Sequence, residues 1–148
     1  MRKVMKEYKV KVYSDKTEWF NLEGKRHRDD GPAIEYADGT KIWYKEGERH
    51  RDDGPACEYA DGDKYWYKEG KVHRDDGPAC EYVNGNKFWY KEGKLHRDDG
   101  PAHEYANGDK FWYKDGKPLT EEEFLRSKDS CEGKVVEIEG KRYKLTLI

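Results

Sequence analysis

The sequence predicts an all-β fold, a single-layer ribbon of consecutive antiparallel hairpins closed at its C-terminal end by a short helix and one more hairpin. Three observations carry that prediction. The segment HRDDGPA begins at His27, His50, His73 and His96, each 23 residues after the last. A tight-turn pair follows each copy at a fixed offset: Asp38-Gly39, Asp61-Gly62, Asn84-Gly85 and Asn107-Gly108. An aromatic segment of the form KxWYK follows each pair. Self-similarity at such a period marks a stacked array, in which each unit buries its apolar side against its neighbours.

Composition alone points elsewhere. Hydrophobic residues at 34%, charged residues at 42% and a mean hydropathy of -1.34 suit a disordered chain. Five Trp, twelve Tyr and four Phe oppose that reading, because large rings at fixed spacing bury area where aliphatics are scarce. A thin ordered structure without a conventional globular core is expected. At 148 residues the chain is one domain by length. Its net charge of -2 sets up no field that would draw nucleic acid or an anionic membrane, so neither is expected as a partner. No run is apolar enough to span a bilayer, and MRKVMKEYKVKVYS lacks the apolar segment of a signal peptide. Three cysteines at no metal-ligand spacing suit a reducing compartment. A cytoplasmic location and no cofactor are expected.

Residues 1–26 read as an N-terminal cap. YKVKVYS alternates as a strand, and Trp19-Phe20 with Gly24 reads as a degenerate half-unit. Residues 27–119 hold the four 23-residue units. In each, strand one covers about PAxEYA, and the Asp-Gly or Asn-Gly turn uses residue types that tolerate φ > 0. Strand two covers about KxWYK, rich in β-formers. Glu-Gly or Asp-Gly then opens a longer connection through HRDDGP, where Gly31-Pro32 and their repeats exclude helix. Alternation puts Trp43, Trp66, Trp89 and Trp112 on one side with lysines such as Lys41 and Lys45. Ile42, Tyr65, Phe88 and Phe111 take the other side with Tyr44, Tyr67, Tyr90 and Tyr113. Positions 42, 65, 88 and 111 vary only among apolar and aromatic residues, which marks them as packed. Residues 120–148 form the second cap. Thr120 is an N-cap with Glu123 completing a capping box, so a short helix is expected through about Lys128. KVVEIEGKRYKLTLI then reads as a closing hairpin that turns at Glu139-Gly140.

Gly93-Lys94-Leu95-His96, Tyr105-Ala106-Asn107-Gly108 and the aromatic second strand together resemble the MORN family, whose repeats have the same length. The similarity covers residues 13–119. HRDDGPA is longer than that family's usual HGxG loop, and the second strand is shorter. The pattern is closer to the variant repeats of small bacterial and phage proteins that carry HRxDGPA and WYxxG units. That resemblance implies a ribbon of hairpins and a binding role, and in a phage setting a counter-defence role.

The repeated His-Arg-Asp-Asp admits two readings. His27 with Asp29 and Asp30 could offer nitrogen and oxygen ligands to a divalent cation. As architecture, Asp would cap backbone amides and Arg would pair with the Asp of a neighbouring unit. Without a phosphate loop or Asp-Phe-Gly, the His-Arg-Asp is not that of a kinase. The Trp and Lys rows read either as a stacking platform for bases or as packing in which lysines cover ring faces. Arg28, Arg51, Arg74 and Arg97, one per loop, suit small anionic nucleotide-type ligands through their planar forks. Cys57 and Cys80 stand at equivalent positions, filled by Ile34 and His103 in the other units. Two strand spacings, roughly 9–10 Å, would separate them, which exceeds disulfide reach, so free thiols beside the Tyr row are expected.

Every candidate catalytic group occurs four times, whereas a catalytic centre needs one non-repeating constellation. The expectation is a non-enzymatic interaction protein that uses Trp43, Trp66, Trp89, Trp112, Arg28, Arg51, Arg74 and Arg97 to hold a protein partner. For a phage-encoded chain that partner would be a host defence protein which it inhibits or sequesters. A sponge for anionic nucleotides is the first alternative, and a structural part that forms homo-oligomers is the second.

Overall fold

The computed structural model describes residues 6–129 and 135–144. The chain divides into two compact units after Pro118. In the first, one sheet of eleven strands takes its strands from consecutive hairpins in chain order. They are Lys9–Val12, Lys16–Phe20, Ile34–Tyr36, Lys41–Ile42, Cys57–Glu58, Lys64–Tyr65, Cys80–Glu81, Lys87–Phe88, His103–Glu104, Lys110–Lys114 and Lys117–Leu119.

The register sets up two parallel rows of side chains. In one, Ile34 opposes Ile42, followed across the sheet by Cys57, Tyr65, Cys80, Phe88, His103 and Phe111. In the next, Glu35, Lys41, Glu58, Lys64, Glu81, Lys87, Glu104 and Lys110 alternate in sign, so neighbouring strands present opposite charges to each other. Directly opposed pairs of this kind are the unit of sheet stability. The first row packs as far as His103, but Phe111, with no further unit beyond it, is 48% exposed, so position 111 is not packed as expected. Ile34, Ile42 and Cys57 are buried, with Tyr36, Tyr44, Tyr65 and Tyr67 against them. Farther along, edge-to-face ring contacts take over, among them Tyr65 with Tyr82 at 5.5 Å and Tyr82 with Phe88 at 5.2 Å. Cys57 and Cys80 are free and buried on either side of Tyr65, as expected. Burial pushes their thiols up to about 11 and about 12.

Strand two is broken in the first three units, whereas in the fourth Lys110–Lys114 runs unbroken through Trp112, as expected. Lys41–Ile42 belongs to the long sheet, but Tyr44–Lys45 pairs with Glu48–Arg49 in a separate hairpin. Trp43 sits at the break. Its N–H donates to the Ala56 carbonyl at 2.8 Å, and its own carbonyl accepts from the His50 N–H at 3.2 Å. Tyr67–Lys68 with Lys71–Val72 and Tyr90–Lys91 with Lys94–Leu95 repeat the arrangement. The Glu-Gly pairs therefore close a second tight turn in each unit and do not open a long connection. Glu46 and Gly47 both take positive φ, 51° and 89°, which is what a two-residue turn between twisted strands requires. At Asp38-Gly39 the division of labour differs. Only the glycine takes positive φ, 96°, while Asp38 Oδ1 accepts from the Thr40 N–H at 2.8 Å. Successive small hairpins are joined as well: the Gly47, Gly70, Gly93 and Gly116 N–H groups donate to the carbonyls of Arg26, Arg49, Val72 and Leu95.

The N-terminal segment is more complete than a half-unit. Lys9–Val12 pairs with Lys16–Phe20, and a Phe20–Arg26 bridge closes a second hairpin whose turn carries one residue more than the later ones. Glu18 occupies the packed position there. It is 3% exposed and accepts from Lys16 at 3.2 Å and Arg26 at 3.1 Å. Burial pushes its carboxyl up, yet those two cations outweigh it and hold the group below the ordinary value.

In the second unit, helix Glu121–Asp129 starts on the expected capping box. The Glu123 N–H donates to Thr120 Oγ1 at 3.1 Å, and the Thr120 N–H donates to Glu123 Oε2 at 2.8 Å. Val135–Ile138 pairs with Lys141–Lys144 around Glu139-Gly140. Cys131 and residues 145–148, the far end of the expected closing hairpin, lie outside the described residues.

Candidate functional site

The HRDDGPA loops are built around the arginine. Arg28, Arg51, Arg74 and Arg97 place their guanidinium groups over Trp19, Trp43, Trp66 and Trp89, with Cζ 4.2, 4.0, 4.0 and 3.9 Å from the ring centroids. In the second loop Arg51 Nε donates to Asp53 at 2.9 Å. Its Nη1 donates to the Pro55 carbonyl at 3.2 Å and to Glu58 at 2.8 Å. The other three loops repeat this set. Stacking over an indole contributes about 0.5–2 kcal/mol, and each charge-assisted bond exceeds a neutral one. The glycine of the loop follows from this. A Cβ on Gly54 would meet Arg51 Cζ at 3.0 Å.

Two expectations are corrected by that geometry. The cation over each of these Trp faces is an arginine of the following loop, not a lysine of the same strand. Each Arg pairs with the second Asp of its own loop and the Glu of its own strand, not with an Asp next door. Trp112 differs from the other three because Thr120 stands where an arginine would follow it. Trp19, which the sequence reading placed in a half-unit, takes the first arginine. Its spacing to Arg28 is one residue longer than in the repeats, which hid the match.

The histidine ties loop to turn. His27 Nε2 lies 3.0 Å from Asp29 Oδ1, and its Nδ1 accepts from the Glu46 N–H at 3.1 Å. Glu46 Oε1 is also 2.7 Å from Nδ1, so the ring has a partner at that nitrogen whether neutral or protonated. His50, His73 and His96 reach Glu69, Glu92 and Asp115 in the same way. Each ring therefore fixes a turn residue held at positive φ. In His27, His50 and His73 both nitrogens are committed, which does not fit the metal-ligand reading of His27 with Asp29 and Asp30. His96 Nε2 lies 3.1 Å from Asp98 but makes no hydrogen bond. Among the described residues no group of three His, Cys, Asp or Glu side chains could hold a metal ion.

Between successive loops lie three equivalent half-open clefts of about 600, 720 and 600 Å³. The first has Arg28, Asp29 and Asp30 on one wall, Trp43, Tyr44 and Lys45 as its floor, and His50, Arg51, Asp52 and Asp53 opposite. Each cleft holds four aspartates against two arginines and one lysine. The aspartates stay out in solvent: Asp52 is 80% exposed and Asp53 84%. The cations nevertheless act on them. Hydrogen bonds from His50 and His73 hold the Asp52 and Asp75 carboxyls below the ordinary value, and Arg74 does the same for Asp76. Seven of the eight residues marked from sequence therefore line these clefts, with Trp112 apart from them. The aspartate pairs and Tyr44, Tyr67 and Tyr90 complete the lining. Alternation placed the tyrosines on the packed side, and Tyr44 and Tyr67 do pack against the buried cluster, but it gave no sign that they also line the clefts.

No protein-family model matches the chain. No curated protein matches it either. No helix among the described residues is long and apolar enough to cross a membrane.

Proposed function

We propose that this chain is a non-enzymatic interaction protein that holds a protein partner along its row of loop clefts. The observation that carries the reading is the state of the arginines. Each is stacked on an indole and bonded to two carboxylates, so the loops are preorganised, and the clefts between them carry more negative than positive groups. Rigid, repeated, half-open surfaces lined by Trp, Tyr and charged rims suit protein recognition, where preorganised aromatic anchors concentrate affinity. The nucleotide-sponge alternative draws less support. A phosphate would have to compete for Arg51 with Asp53 and Glu58, which already take its Nε and Nη1, and with the same pairs in the other loops. A host defence protein as the partner rests on the phage resemblance alone.

The test is native mass spectrometry of the protein purified gently from its own cells. A co-purifying protein at fixed stoichiometry supports the reading and identifies the partner. A small mass increment absorbing near ultraviolet nucleobase wavelengths sinks it in favour of the sponge. A bare self-associated species favours a structural role.

A further inference from the structure

The chain itself carries an instance of a segment lying on one of these loops. Lys6 and Tyr8 precede the first strand and rest against the first HRDD loop. Lys6 Nζ is 3.0 Å from Asp29 Oδ2. The Tyr8 hydroxyl accepts from the Asp29 backbone N–H at 3.1 Å and donates toward Asp29 Oδ2 at 3.4 Å. Its ring stacks over His27, with centroids 6.4 Å apart and planes 29° from parallel. Alternate residues of an extended chain face the same way, so a basic and an aromatic side chain two positions apart reach one surface together. The Lys6 ammonium, with His27, also lowers the Asp29 carboxyl.

The later loops present the same atoms. His50 with Asp52, His73 with Asp75 and His96 with Asp98 each form one wall of a cleft whose opposite wall is the preceding loop. The aspartate that meets Lys6 in the first loop is 42% exposed, while Asp52, Asp75 and Asp98 are 80%, 75% and 67% exposed. In the second loop Lys45, at the position of Asn21 in the first unit, comes within 3.9 Å of Asp52 Oδ2. A cation is thus already drawn to that oxygen, but by a flexible side chain 57% exposed that a better-placed one can displace.

We infer that the clefts at the second to fourth loops take an extended segment of a partner protein that offers a basic and an aromatic side chain two residues apart, in the manner of Lys6 and Tyr8 on the first loop. This rests on the interaction reading above and gives it a chemistry. The aspartate excess of each cleft selects the cation, and the loop's backbone N–H and imidazole take the phenol.

The test titrates the full chain with a synthetic peptide of the sequence KVMKEYKVKV, followed by amide NMR shifts and calorimetry. Saturable binding is expected, with shifts concentrated in the second to fourth loops. It should weaken at least about tenfold in the Asp52→Asn, Asp75→Asn, Asp98→Asn triple variant and in raised salt. Asn keeps an oxygen for each His ring. Should the triple variant unfold by circular dichroism, Asp75→Asn alone should remove the shifts at the third loop and spare the others. A peptide that does not saturate, that binds the variants equally well, or that shifts only the edge strand Lys9–Val12 overturns the inference. So does concentration-dependent self-binding at the same loops, which would make the occupant a second copy. A partner found by mass spectrometry with an inert peptide would overturn this segment chemistry alone. Peptide binding without a co-purified protein would support the segment chemistry and count against the wider reading.

Discussion

The row of side chains from Ile34 to Phe111 changes from unit to unit, whereas the cluster beside it, Trp with the Arg that covers it and the Glu that holds that Arg, is the same four times. Near-identity by itself could record nothing more than copying of a segment. The geometry supplies a second reason. The changing row asks only for a shape that fills space between strands, which Ile, Cys, Tyr, Phe and His all meet. The constant cluster is a set of directional bonds around a planar fork, and no other cation fills the same place. The two regions should therefore respond differently to substitution.

The largest expected effect is in the constant cluster. Trp66→Ala removes the ring under Arg74 and should lower unfolding free energy by about 3 kcal/mol, read as a fall in the urea midpoint. Arg74→Lys keeps the charge but loses the stack and the paired bonds to Asp76 and Glu81, and should cost about 1–2 kcal/mol in the same assay. A loss near zero would mean that the cluster is no more demanding than the row.

The changing row offers a test of opposite sign. His103 lies 4.2 Å from Phe88 and 5.2 Å from Tyr113, and its Nε2 is buried without a hydrogen-bond partner. Burial pulls its imidazole below the ordinary 6.5. The unfolded chain therefore binds a proton that the folded chain refuses. Stability is lost as pH falls below 6.5, and the loss stops growing once the folded value is passed. Groups such as Glu18 and Asp52, whose values are lowered, lose their contribution only below 4.5 and 3.8. Between pH 6.5 and about 5, His103→Ile should hold its thermal midpoint better than the parent, by a few tenths to about 1 kcal/mol after allowing for partial exposure. A constant difference across that range would refute the burial argument. Asp61→Asn should be the mildest change, within about 0.5 kcal/mol. Asn84 and Asn107 already use Oδ1 to accept from the N–H two residues on, as Asp61 does.

Much of this fold could be read from the sequence: the period of the loop, the turn pairs, the packed positions other than Phe111, and the capping box at Thr120. The split at Trp43 could not. Alternation treats KxWYK as one strand, and it gives no sign that the chain changes partners after the Trp. A hint was present in Glu46-Gly47, which is as good a two-residue turn as Asp38-Gly39. The pairing of Arg51 with Trp43 was also hidden, since the seven-residue hairpin between them brings them together. Seven of the marked residues line the clefts, but their guanidinium groups are tied up within the loops, and the exposed chemistry belongs to the aspartates beside them.

The His ring that fixes the following turn reaches only 19 residues along the chain, and even the bond from Asn21 Nδ2 to Glu46 spans only 25. Linkages of that range cross one unit boundary and no more. A 23-residue segment added or removed in phase would then leave every remaining bond a correct partner. The number of clefts becomes a quantity that can change in whole steps without refolding the rest. Short loops to close should also make such an array fast to assemble for a protein built from strands.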